Sequence, residues 1–535
     1  MNTNSLALPI HDDDLVYAPA ILILSQDLYP RKLEVVREYI QNASDALDSF
    51  GEISHIIDDG TEPLIKISIQ GRSLLVYDTG IGMDADDVAK LRRIAYSEKR
   101  VGKEAGYKGI GRLAGIAVAD KLKISSTSYG DPKLHHFEFR AKEMRDEVDE
   151  NKRKGIIESA TEVIKRHTTL WSDEIDPKDH YTIVEIREIA ESCSELLDPT
   201  ALQEYIGDIA PVDFSPQFKW GAMLSEKLRQ NVPDYSPKTI YLANRNGERA
   251  RIYKPYIDQM LISQPGEIPI TDPADPSRVI AFCWYATKGQ KILGEIRPSG
   301  KIFAVDGKDF AVKKRFAGLV YKLFGFSVGD RSLPARTLWD KSEVRAKWFT
   351  GEIHIIDKGV LPTTDRSDFV ENRARDVLYE AGKRVSSTLN KRAQQISDNR
   401  KAFSDTERLR QRFESTQQSL KDDKFDRSSL KRLKEEAAKN LEILRARQSK
   451  CTDDAIKDYL EKVSKFGKGI STELDSRKPN GKHPIPDIST TLGMTSKAKK
   501  VYDIIMQTLS VHFKNDADEY YSVSNEIVES LRRRY

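Results

Sequence analysis

Apolar and polar residues follow a helical period in the first part of the chain and then a strand period. Between Pro30 and Gly51 apolar residues recur every three or four positions, which predicts an amphipathic helix beginning near the proline. The segments LIKISIQ and LLVYD alternate apolar and polar residues on either side of a Gly-Arg-Ser turn, which predicts a β-hairpin. Three further strands are predicted at KLKISSTS, LHHFEFR and YTIVEIRE, and the charged stretch 142–178 is predicted to form helix and loop. This pattern is typical of a mixed α/β domain.

A second α/β region and a helical region follow. Strand-like runs continue in TIYLAN, RVIAFCWYA, GKIFAVDG and EIHIID, but after Val370 charged segments with leucine at three- and four-residue spacing take over. That spacing is typical of helices packing on helices or of a short coiled coil, and RKPNGKHPIP is typical of a linker. A final apolar stripe of helical period runs through Tyr502, Ile505, Leu509 and Phe513. We therefore divide the chain into an α/β domain at 1–195, a second α/β domain at 196–380, a helical coiled-coil arm at 381–475, a linker at 476–490 and a C-terminal helical segment suited to dimerisation at 491–535.

The composition narrows the classes of function. Hydrophobic residues make up 39% of the chain, which supports real cores, and 86 Lys and Arg against 83 Asp and Glu leave a formal charge of +3. Net charge therefore does not imply nucleic-acid binding, although a local basic patch would still permit it. The three cysteines are widely spaced without a CxxC pair, which argues against disulfides and zinc and favours a reducing cytoplasm. With neither a long apolar run nor a signal-peptide pattern, we expect a soluble cytoplasmic protein that does not enter a membrane.

The stretch REYIQNASDALD in the first predicted helix carries two stripes of helical period. One is apolar and should face a core: Val36, Ile40, Ala43 and Leu47. The other contains Glu38, Asn42 and Asp45 and begins two positions later, so that it points away from the first. Such a polar stripe is usually a solvated face, but the small side chains of Ser44 and Ala46 beside it leave room for a ligand.

Two glycine-rich motifs follow the helix. In VYDTGIGM, Asp78 ends a predicted buried strand, and Gly80 and Gly82 lack the Cβ that would keep a ligand away from the backbone. A carboxylate in that place can accept a hydrogen bond from the amine of a base, and Met83 offers a flexible apolar contact for a flat ring. In GYKGIGRLAG, which begins at Gly106, clustered backbone N–H groups before a helix suit a phosphate. No βαβ unit surrounds these glycines and no Gly-Lys-Ser/Thr ending follows them, which excludes a Rossmann-type motif and a P-loop.

In this order and spacing the three motifs resemble those of the GHKL ATPases. EYIQNASDALD is most similar to the asparagine box of the ninety-kilodalton heat-shock chaperones, and YDTGIGM is similar to their adenine box. AGYKGIGRLAGIAVADK resembles the glycine-rich end of the nucleotide lid, with a KGIGR segment similar to that of MORC proteins. The resemblance implies a Bergerat-fold α/β sandwich, a second α/β domain of the transducer type and a helical coiled-coil C-terminal region. Within the superfamily, the chain resembles a stand-alone, bacterial-type member that is similar to the chaperone, MORC and MutL branches.

The resemblance assigns roles residue by residue. Glu38 matches the general base that activates the attacking water, and Asn42 matches the Mg²⁺ ligand, so that ATP and Mg²⁺ are implied. Asp78 matches the residue that reads adenine, and Thr182 in HYTIVEIRE matches a threonine beside the adenine-bound water. The remaining matched residues shape the base site, the phosphate-binding end of the lid or the pocket wall: Asp45, Gly80, Gly82, Met83, Gly106, Gly109, Ile110, Gly111 and Arg112.

The resemblance also implies cationic side chains for the γ-phosphate. Lys99 lies in an S-x-K pattern of the predicted lid that is similar to MORC-like relatives, while the other lid cations suit a solvated surface. The segment GEIHIIDKGVLPTTDRSDF resembles the chaperone segment whose arginine reaches the γ-phosphate, and Arg366 is its nearest match. The alternative is that Arg366 pairs with Asp365 or Asp368 within its own loop. Two residues are unranked candidates for a transducer lysine: Lys313 and Lys314.

The rest of the sequence distinguishes among the functions of this superfamily. A sensor kinase needs a phosphoacceptor histidine on an upstream helix, whereas only His11 precedes the motifs, within an irregular acidic segment. The helical C-terminal third has no room for a topoisomerase cleavage module and shows no MutL-type nuclease motif. We therefore expect a homodimeric ATP-operated clamp or switch whose N-terminal domains associate on ATP binding, acting on nucleic acid or within a multi-protein defence or maintenance complex. The alternatives are a chaperone-like ATPase that remodels protein clients and an ATPase subunit whose effector is another chain.

Overall fold

The computed structural model describes most of the chain, in ranges separated by gaps. The described residues are 18, 29, 31–53, 60–93, 111–156, 158–243, 247–255, 265–287, 317–339, 343–421, 425, 427–477, 485–486, 488, 492–514 and 516–534. They form two compact units, one ending at Thr388 and the other beginning at Leu389.

An eight-stranded mixed sheet in the N-terminal unit has the order β5-β4-β3-β6-β2-β1-β7-β8. Its strands are β1 (Ile65–Gln70), β2 (Ser73–Asp78), β3 (Ala119–Thr127), β4 (Lys133–Arg140), β5 (Thr168–Glu174), β6 (Tyr181–Ile189), β7 (Ile240–Ala243) and β8 (Arg249–Arg251). Neighbouring strands are antiparallel except β1 and β7, which pair in parallel. The predicted hairpin is confirmed, because β1 and β2 pair antiparallel across Gly71, whose φ of 60° lies in the left-handed region.

Helices pack with this sheet around one buried apolar cluster, which contains Val36 and Ile40 of the first helix and Ile67 and Val76 of the sheet. The helices are α1 (Glu34–Ile53), α2 (Ala85–Lys90), α3 (Ala141–Lys154), α4 (Ala160–Arg166) and α5 (Pro199–Ile209), with 3-10 turns at Gly111–Ala117 and Glu191–Leu197. The expected N-terminal α/β sandwich is therefore confirmed. One local prediction is wrong, because β5 lies within the stretch that the charge pattern assigned to helix and loop. β5 is an edge strand whose side chains are mostly exposed, so its polar composition hides the alternation by which strands are recognised.

A second, five-stranded sheet belongs to the same unit and has the order β12-β11-β13-β10-β9. Its strands are β9 (Gly266–Thr271), β10 (Val279–Thr287), β11 (Gly318–Leu323), β12 (Phe326–Val328) and β13 (Phe349–Ile355), accompanied by α6 (Gly221–Asn231), α7 (Ser332–Leu338) and α8 (Glu343–Ala346). Strand β13 is fully buried and pairs in parallel with β11 and antiparallel with β10. The predicted strand GKIFAVDG lies outside the described residues.

A buried ion pair lies in the middle of this second sheet. Lys254 Nζ lies 2.6 and 2.8 Å from the two carboxylate oxygens of Glu352, and Trp284 Nε1 and His354 Nε2 lie 3.2 and 3.0 Å from Glu352 Oε2. Burial would raise the pKa of Glu352, but Lys254 and the hydrogen bond from His354 hold that pKa well below its usual range. A buried charge of this kind is tolerated only when its partners offset the loss of hydration.

All regular elements described from Leu389 onwards are helical: the end of α9 (Arg373–Ser419), α10 (Arg427–Gln448), α11 (Asp454–Ser476), α12 (Ser496–His512) and α13 (Ala517–Arg534). The predicted packing of helix on helix is confirmed, because the spaced residues Leu430, Ala437, Ile456 and Leu460 are buried in one cluster. The stripe predicted for the last segment is partly wrong, since Ile505 is 43% exposed. Among the described helices, none combines the length and apolar composition that a membrane crossing requires.

Candidate functional site

Helix α1 carries the two stripes that its sequence predicts. The four residues of the apolar stripe are buried in the core: Val36, Ile40, Ala43 and Leu47. Glu38, Asn42 and Asp45 are each only partly exposed, so this stripe is not a freely solvated face. Neighbouring segments therefore partly cover the polar stripe, and the region between α1 and the loops described below is called the recess.

Asp78 ends β2, immediately before the loop that contacts α1, and is only 4% exposed. The backbone N–H of Gly80 donates to Asp78 Oδ1 at 3.0 Å, but burial dominates and raises the pKa of the Asp78 carboxyl to about 7. Asp78 pairs across the sheet with Thr182 of β6. The carboxylate and the threonine thus lie side by side, as the resemblance implies for a site that reads adenine.

Ser126 of β3 joins these elements, although the sequence did not single it out. Its Oγ lies 2.8 Å from Thr182 Oγ1, accepts from the backbone N–H of Met83 at 2.9 Å and donates to the carbonyl of Tyr181. Met83 is partly buried against the core. The sequence offered one indication of this role: Ser126 lies on the buried side of a strand with alternating polarity. A buried hydroxyl group of this kind needs a hydrogen-bond partner.

The loop after β2 lies against α1 because its two glycines allow close approach. A Cβ on Gly80 would stand 2.5 Å from Ala46 Cβ, and the N–H of Ile81 donates to the carbonyl of Ala46 at 3.1 Å. Gly82 has a φ of 71°, and a Cβ there would overlap the carbonyl oxygen of Thr127. The small residues beside the polar stripe therefore make room for the protein's own loop.

An aromatic pair that the sequence reading missed holds the same loop from the other side. The rings of Phe50 and His180 stack with centroids 4.2 Å apart, and His180 Nδ1 donates to the carbonyl of Gly80 at 2.8 Å. The only signal was the position of His180 immediately before β6.

Glu38 lies at the other end of the recess, between a glycine and an arginine. Arg366 Nε is 3.6 Å from Glu38 Oε1, and the side chains of Arg366 and Glu38 are 11% and 16% exposed. A Cβ on Gly111 would overlap Glu38 Oε2, so the backbone at the end of the lid lies directly against the carboxylate. Asp368, an alternative partner for Arg366, accepts from Tyr379 at 2.5 Å and from Arg336 at 3.0 Å. The predicted base and the predicted γ-phosphate arginine are thus brought together, and their catalytic roles stay predictions.

Residues on either side of Glu38 fix this geometry. Tyr39 Oη accepts from the N–H of Gly115 at 2.7 Å, which ties α1 to the 3-10 turn after the lid. Arg37 is buried and donates to the backbone carbonyl of Ser327 in β12, and burial together with Arg366 lowers the pKa of Arg37 to about 10. The helix that presents Glu38 is therefore anchored both to the lid end and to the second sheet.

Several predicted lid and transducer residues lie outside the described residues: Lys99, Gly106, Gly109, Ile110, Lys313 and Lys314. Arg112, at the start of the 3-10 turn, donates to the carbonyl of Arg93. Its guanidinium is thus used for local structure in this conformation.

The donor set of the recess fits one Mg²⁺ ion held mainly by phosphate and water. No group of three or more His, Cys, Asp or Glu residues able to hold a metal occurs in the described part of the chain. The polar stripe instead offers the amide oxygen of Asn42, one helical turn after Glu38. A hard cation that keeps several waters and bridges phosphates needs few protein oxygens.

Comparison with known proteins agrees with this geometry. Residues 31–182 match the family model described as histidine kinase-, DNA gyrase B- and HSP90-like ATPase. The chain is 30% identical to the chaperone protein HtpG of Borreliella burgdorferi over 131 residues, which are 21% of this chain and 20% of that protein. It is 27% identical to HtpG of Rickettsia prowazekii over 135 residues, which are 22% of this chain and 22% of that protein. It is 31% identical to HtpG of Methylibium petroleiphilum over 149 residues, which are 24% of this chain and 23% of that protein. The chain thus spans about a fifth of the length of these curated relatives. Over residues 31–182 the chain therefore resembles the GHKL superfamily of ATPases.

Proposed function

We propose that this chain binds ATP with Mg²⁺ and hydrolyses it to ADP and phosphate. The observation that carries this is the convergence on Glu38: its carboxylate lies against the backbone of Gly111 and 3.6 Å from Arg366 Nε. Hydrolysis of a phosphoanhydride needs a proton acceptor for water and positive charge on the transferred group, and these residues supply one of each.

The base of the nucleotide is read at Asp78. Its ionised carboxylate accepts from the exocyclic amine of adenine, while Thr182 and Ser126 present hydroxyl groups beside it. The loop from Gly80 to Met83 shapes the surrounding surface, and its contact with α1 supports a nucleotide that lies along this helix.

The oxygen of the attacking water bonds to the γ-phosphorus, and the bond between that phosphorus and the oxygen that bridges it to the β-phosphate breaks. Glu38 accepts the proton that this water loses. Arg366 moves from Glu38 to the γ-phosphate, which frees the carboxylate to act as a base. Lys99 supplies a second cation from the lid, and Asn42 holds the metal. A Mg²⁺ ion held there would supply positive charge that offsets the negative charge of the phosphates.

ATP binding is proposed to switch a homodimer by drawing its N-terminal domains together, so that the chain closes as a clamp on nucleic acid or within a multi-protein complex. The hydrogen bond from Arg37 of α1 to Ser327 of β12 supports this, because a movement of α1 at Glu38 would also displace the second sheet. The buried free cysteines support a reducing compartment such as the cytoplasm.

A second candidate function is a chaperone-like ATPase acting on protein clients. The similarity of the chain to HtpG chaperones favours it. That similarity covers about a fifth of the chain, so it does not by itself identify a target.

One experiment tests the activity and separates the two targets. Phosphate release from ATP is measured with and without Mg²⁺, and then with duplex DNA or an unfolded protein across a salt series. Magnesium-dependent release supports the ATPase, and its absence under every condition contradicts it. Stimulation by DNA that falls steeply with salt supports the clamp, because counterion release makes such binding salt-dependent. Stimulation by the unfolded protein alone supports the chaperone.

A further inference from the structure

The part of α9 that belongs to the helical unit exposes basic side chains and no acidic ones. Between residues 389 and 419 six cations are exposed, and we call them the basic face of α9: Lys391, Arg392, Arg400, Lys401, Arg408 and Arg412. The four acids of the same stretch are only partly exposed: Asp398, Asp405, Glu407 and Glu414. The charges of this helix are therefore sorted by sign between its solvent side and its packed side.

Two of these acids bind side chains of the neighbouring helices. Asp405 accepts from Arg447 Nε of α10 at 2.6 Å, and Glu407 accepts from Tyr459 Oη of α11 at 3.0 Å. The side chains of Asp405 and Glu407 are 16% and 17% exposed. Their negative charge is thus held against α10 and α11, whereas the cations of α9 face solvent.

Helices α10 and α11, which share a core with α9, show that this sorting is not a general property of the unit. On α10 the exposed charges alternate in sign: Lys431, Arg432, Glu435, Glu436, Lys439, Glu442 and Arg445. On α11 they are mixed as well: Asp454, Asp458, Glu461, Lys462, Lys465, Lys468, Glu473 and Asp475. Mixed charge is typical of a solvated surface, whereas cations clustered along one helix indicate a surface that binds a polyanion.

Three members of the basic face form a row along α9. Arg408 and Arg412 follow Lys401 by seven and eleven residues, which are about two and three helical turns, so the row is about 16 Å long. Neither Lys401 nor Arg412 forms an ion pair with another residue that the structure describes. Their charge is therefore available to a partner.

The side chains between the cations indicate which polyanion fits. The exposed ones carry amide or hydroxyl groups, which bind phosphate and sugar oxygens: Gln394, Gln395, Ser404, Gln411 and Ser415. No aromatic or large aliphatic side chain is exposed in this stretch, every residue of which the structure describes. An acidic membrane is bound by helices that also insert an apolar face, and single-stranded nucleic acid is bound by aromatic side chains that stack on its bases. The surface therefore fits the regular phosphate backbone of a duplex.

We propose that the basic face of α9 binds the phosphate backbone of duplex DNA without reading its sequence. The inference rests on the nucleic-acid target of the proposed clamp and names the surface that contacts it. The cations position the duplex against the helical unit, and release of its counterions makes the binding dependent on salt.

The first test measures binding of the full chain, without nucleotide, to a DNA duplex of about 20 base pairs by fluorescence anisotropy across a salt series. Lys401→Ala combined with Arg412→Ala should raise the Kd at least about tenfold at low salt. It should also reduce the slope of log Kd against log salt by about 2, since each lost cation releases about one counterion fewer. The matched control, Lys439→Ala combined with Lys462→Ala, removes the same charge from α10 and α11 and should bind as the wild type does.

Alanine is the residue most favourable to a helix, so both double variants should fold. A double variant of α9 with the Kd and the slope of the wild type would overturn the proposal. A wild type that binds no duplex at low salt would overturn it as well.

The second test compares other polyanions and keeps the ATPase separate. Vesicles that contain phosphatidylserine, and polyglutamate, should bind more weakly than the duplex at the same salt. Tighter binding of either would overturn the assignment to DNA, in favour of a membrane or an acidic protein. Calorimetry should show equal ATP affinity for the α9 double variant and the wild type, since neither substitution lies in the recess. Phosphate release without duplex binding would contradict this inference alone, and duplex binding without phosphate release would contradict the proposed ATPase alone.

Discussion

Arg366 and Glu38 form an ion pair in the recess, with Arg366 Nε 3.6 Å from Glu38 Oε1, although they belong to distant parts of the N-terminal unit. Arg366 adopts a φ of 56°, in the left-handed region that costs a non-glycine residue about 1–2 kcal/mol. Its carbonyl accepts from the N–H of Gly329 at 2.8 Å, and its N–H donates to the carbonyl of Thr363 at 3.1 Å. The loop is therefore fixed in a conformation that presents the guanidinium to α1.

Glu38→Ala should keep ATP binding and lower turnover by about 10²–10⁴-fold, because removal of a general base affects proton transfer and leaves the adenine contacts in place. Calorimetry measures the binding and phosphate release measures the turnover. Glu52→Ala, at an exposed position of the same helix, is the matched control and should behave as the wild type. Turnover by Glu38→Ala at the wild-type rate would contradict the assignment of the base.

Arg366→Gly should separate the roles of the side chain and backbone at this position. Glycine adopts the left-handed conformation without the strain that arginine has there, so the loop that contains position 366 should keep its conformation. Turnover should nevertheless fall by about 100-fold, since the transferred phosphate loses a cationic donor. The control is Arg336→Ala, which removes an exposed arginine bonded to Asp368 and should keep the rate. Equal rates for Arg366→Gly and the wild type would exclude Arg366 from catalysis.

Gly111→Ala should reduce turnover by at least about tenfold, because its Cβ would overlap Glu38 Oε2 and displace the carboxylate. Gly51→Ala in α1 is the control, since a Cβ there meets nothing within 4 Å and alanine favours the helix by about 0.5–1 kcal/mol. Thermal unfolding and phosphate release are measured on both variants. An unchanged rate for Gly111→Ala would mean that the lid end moves away from Glu38 before hydrolysis.

Asp78→Asn should abolish nucleotide binding and stabilise the protein in a pH-dependent manner. Burial raises the pKa of Asp78 to about 7, so the folded state favours the protonated carboxyl. Asp78 therefore contributes stability below its unfolded pKa of about 4, and this contribution is lost as the pH rises through about 7. Asparagine does not ionise, so the Asp78→Asn variant does not lose stability in this way. Its free energy of unfolding should therefore exceed that of the wild type by more at pH 8 than at pH 5.

Denaturant unfolding at the two pH values measures this gain, and calorimetry measures ATP affinity. A stability difference between Asp78→Asn and the wild type that does not change with pH would show that Asp78 is not a buried titrating carboxyl. Retained affinity would argue against Asp78 as the adenine reader.

The sequence by itself determined the parts of the site that are local. Glu38, Asn42 and Asp45 share a stripe because helical geometry fixes which positions of one helix share a face. The hairpin and the loop after Asp78 also follow from neighbouring residues, because alternation and glycine position set strand and turn.

Only the tertiary structure decided which distant residues meet. That Arg366 reaches Glu38, that Arg37 donates to Ser327 and that Ser126 joins Thr182 to Met83 depend on how separate strands and loops pack. The outward orientation of Ile505 was equally inaccessible, because an apolar residue on a helix with two apolar faces fits either one. Periodicity is a property of one segment, whereas these contacts arise from packing energies shared among several segments, which no local pattern contains.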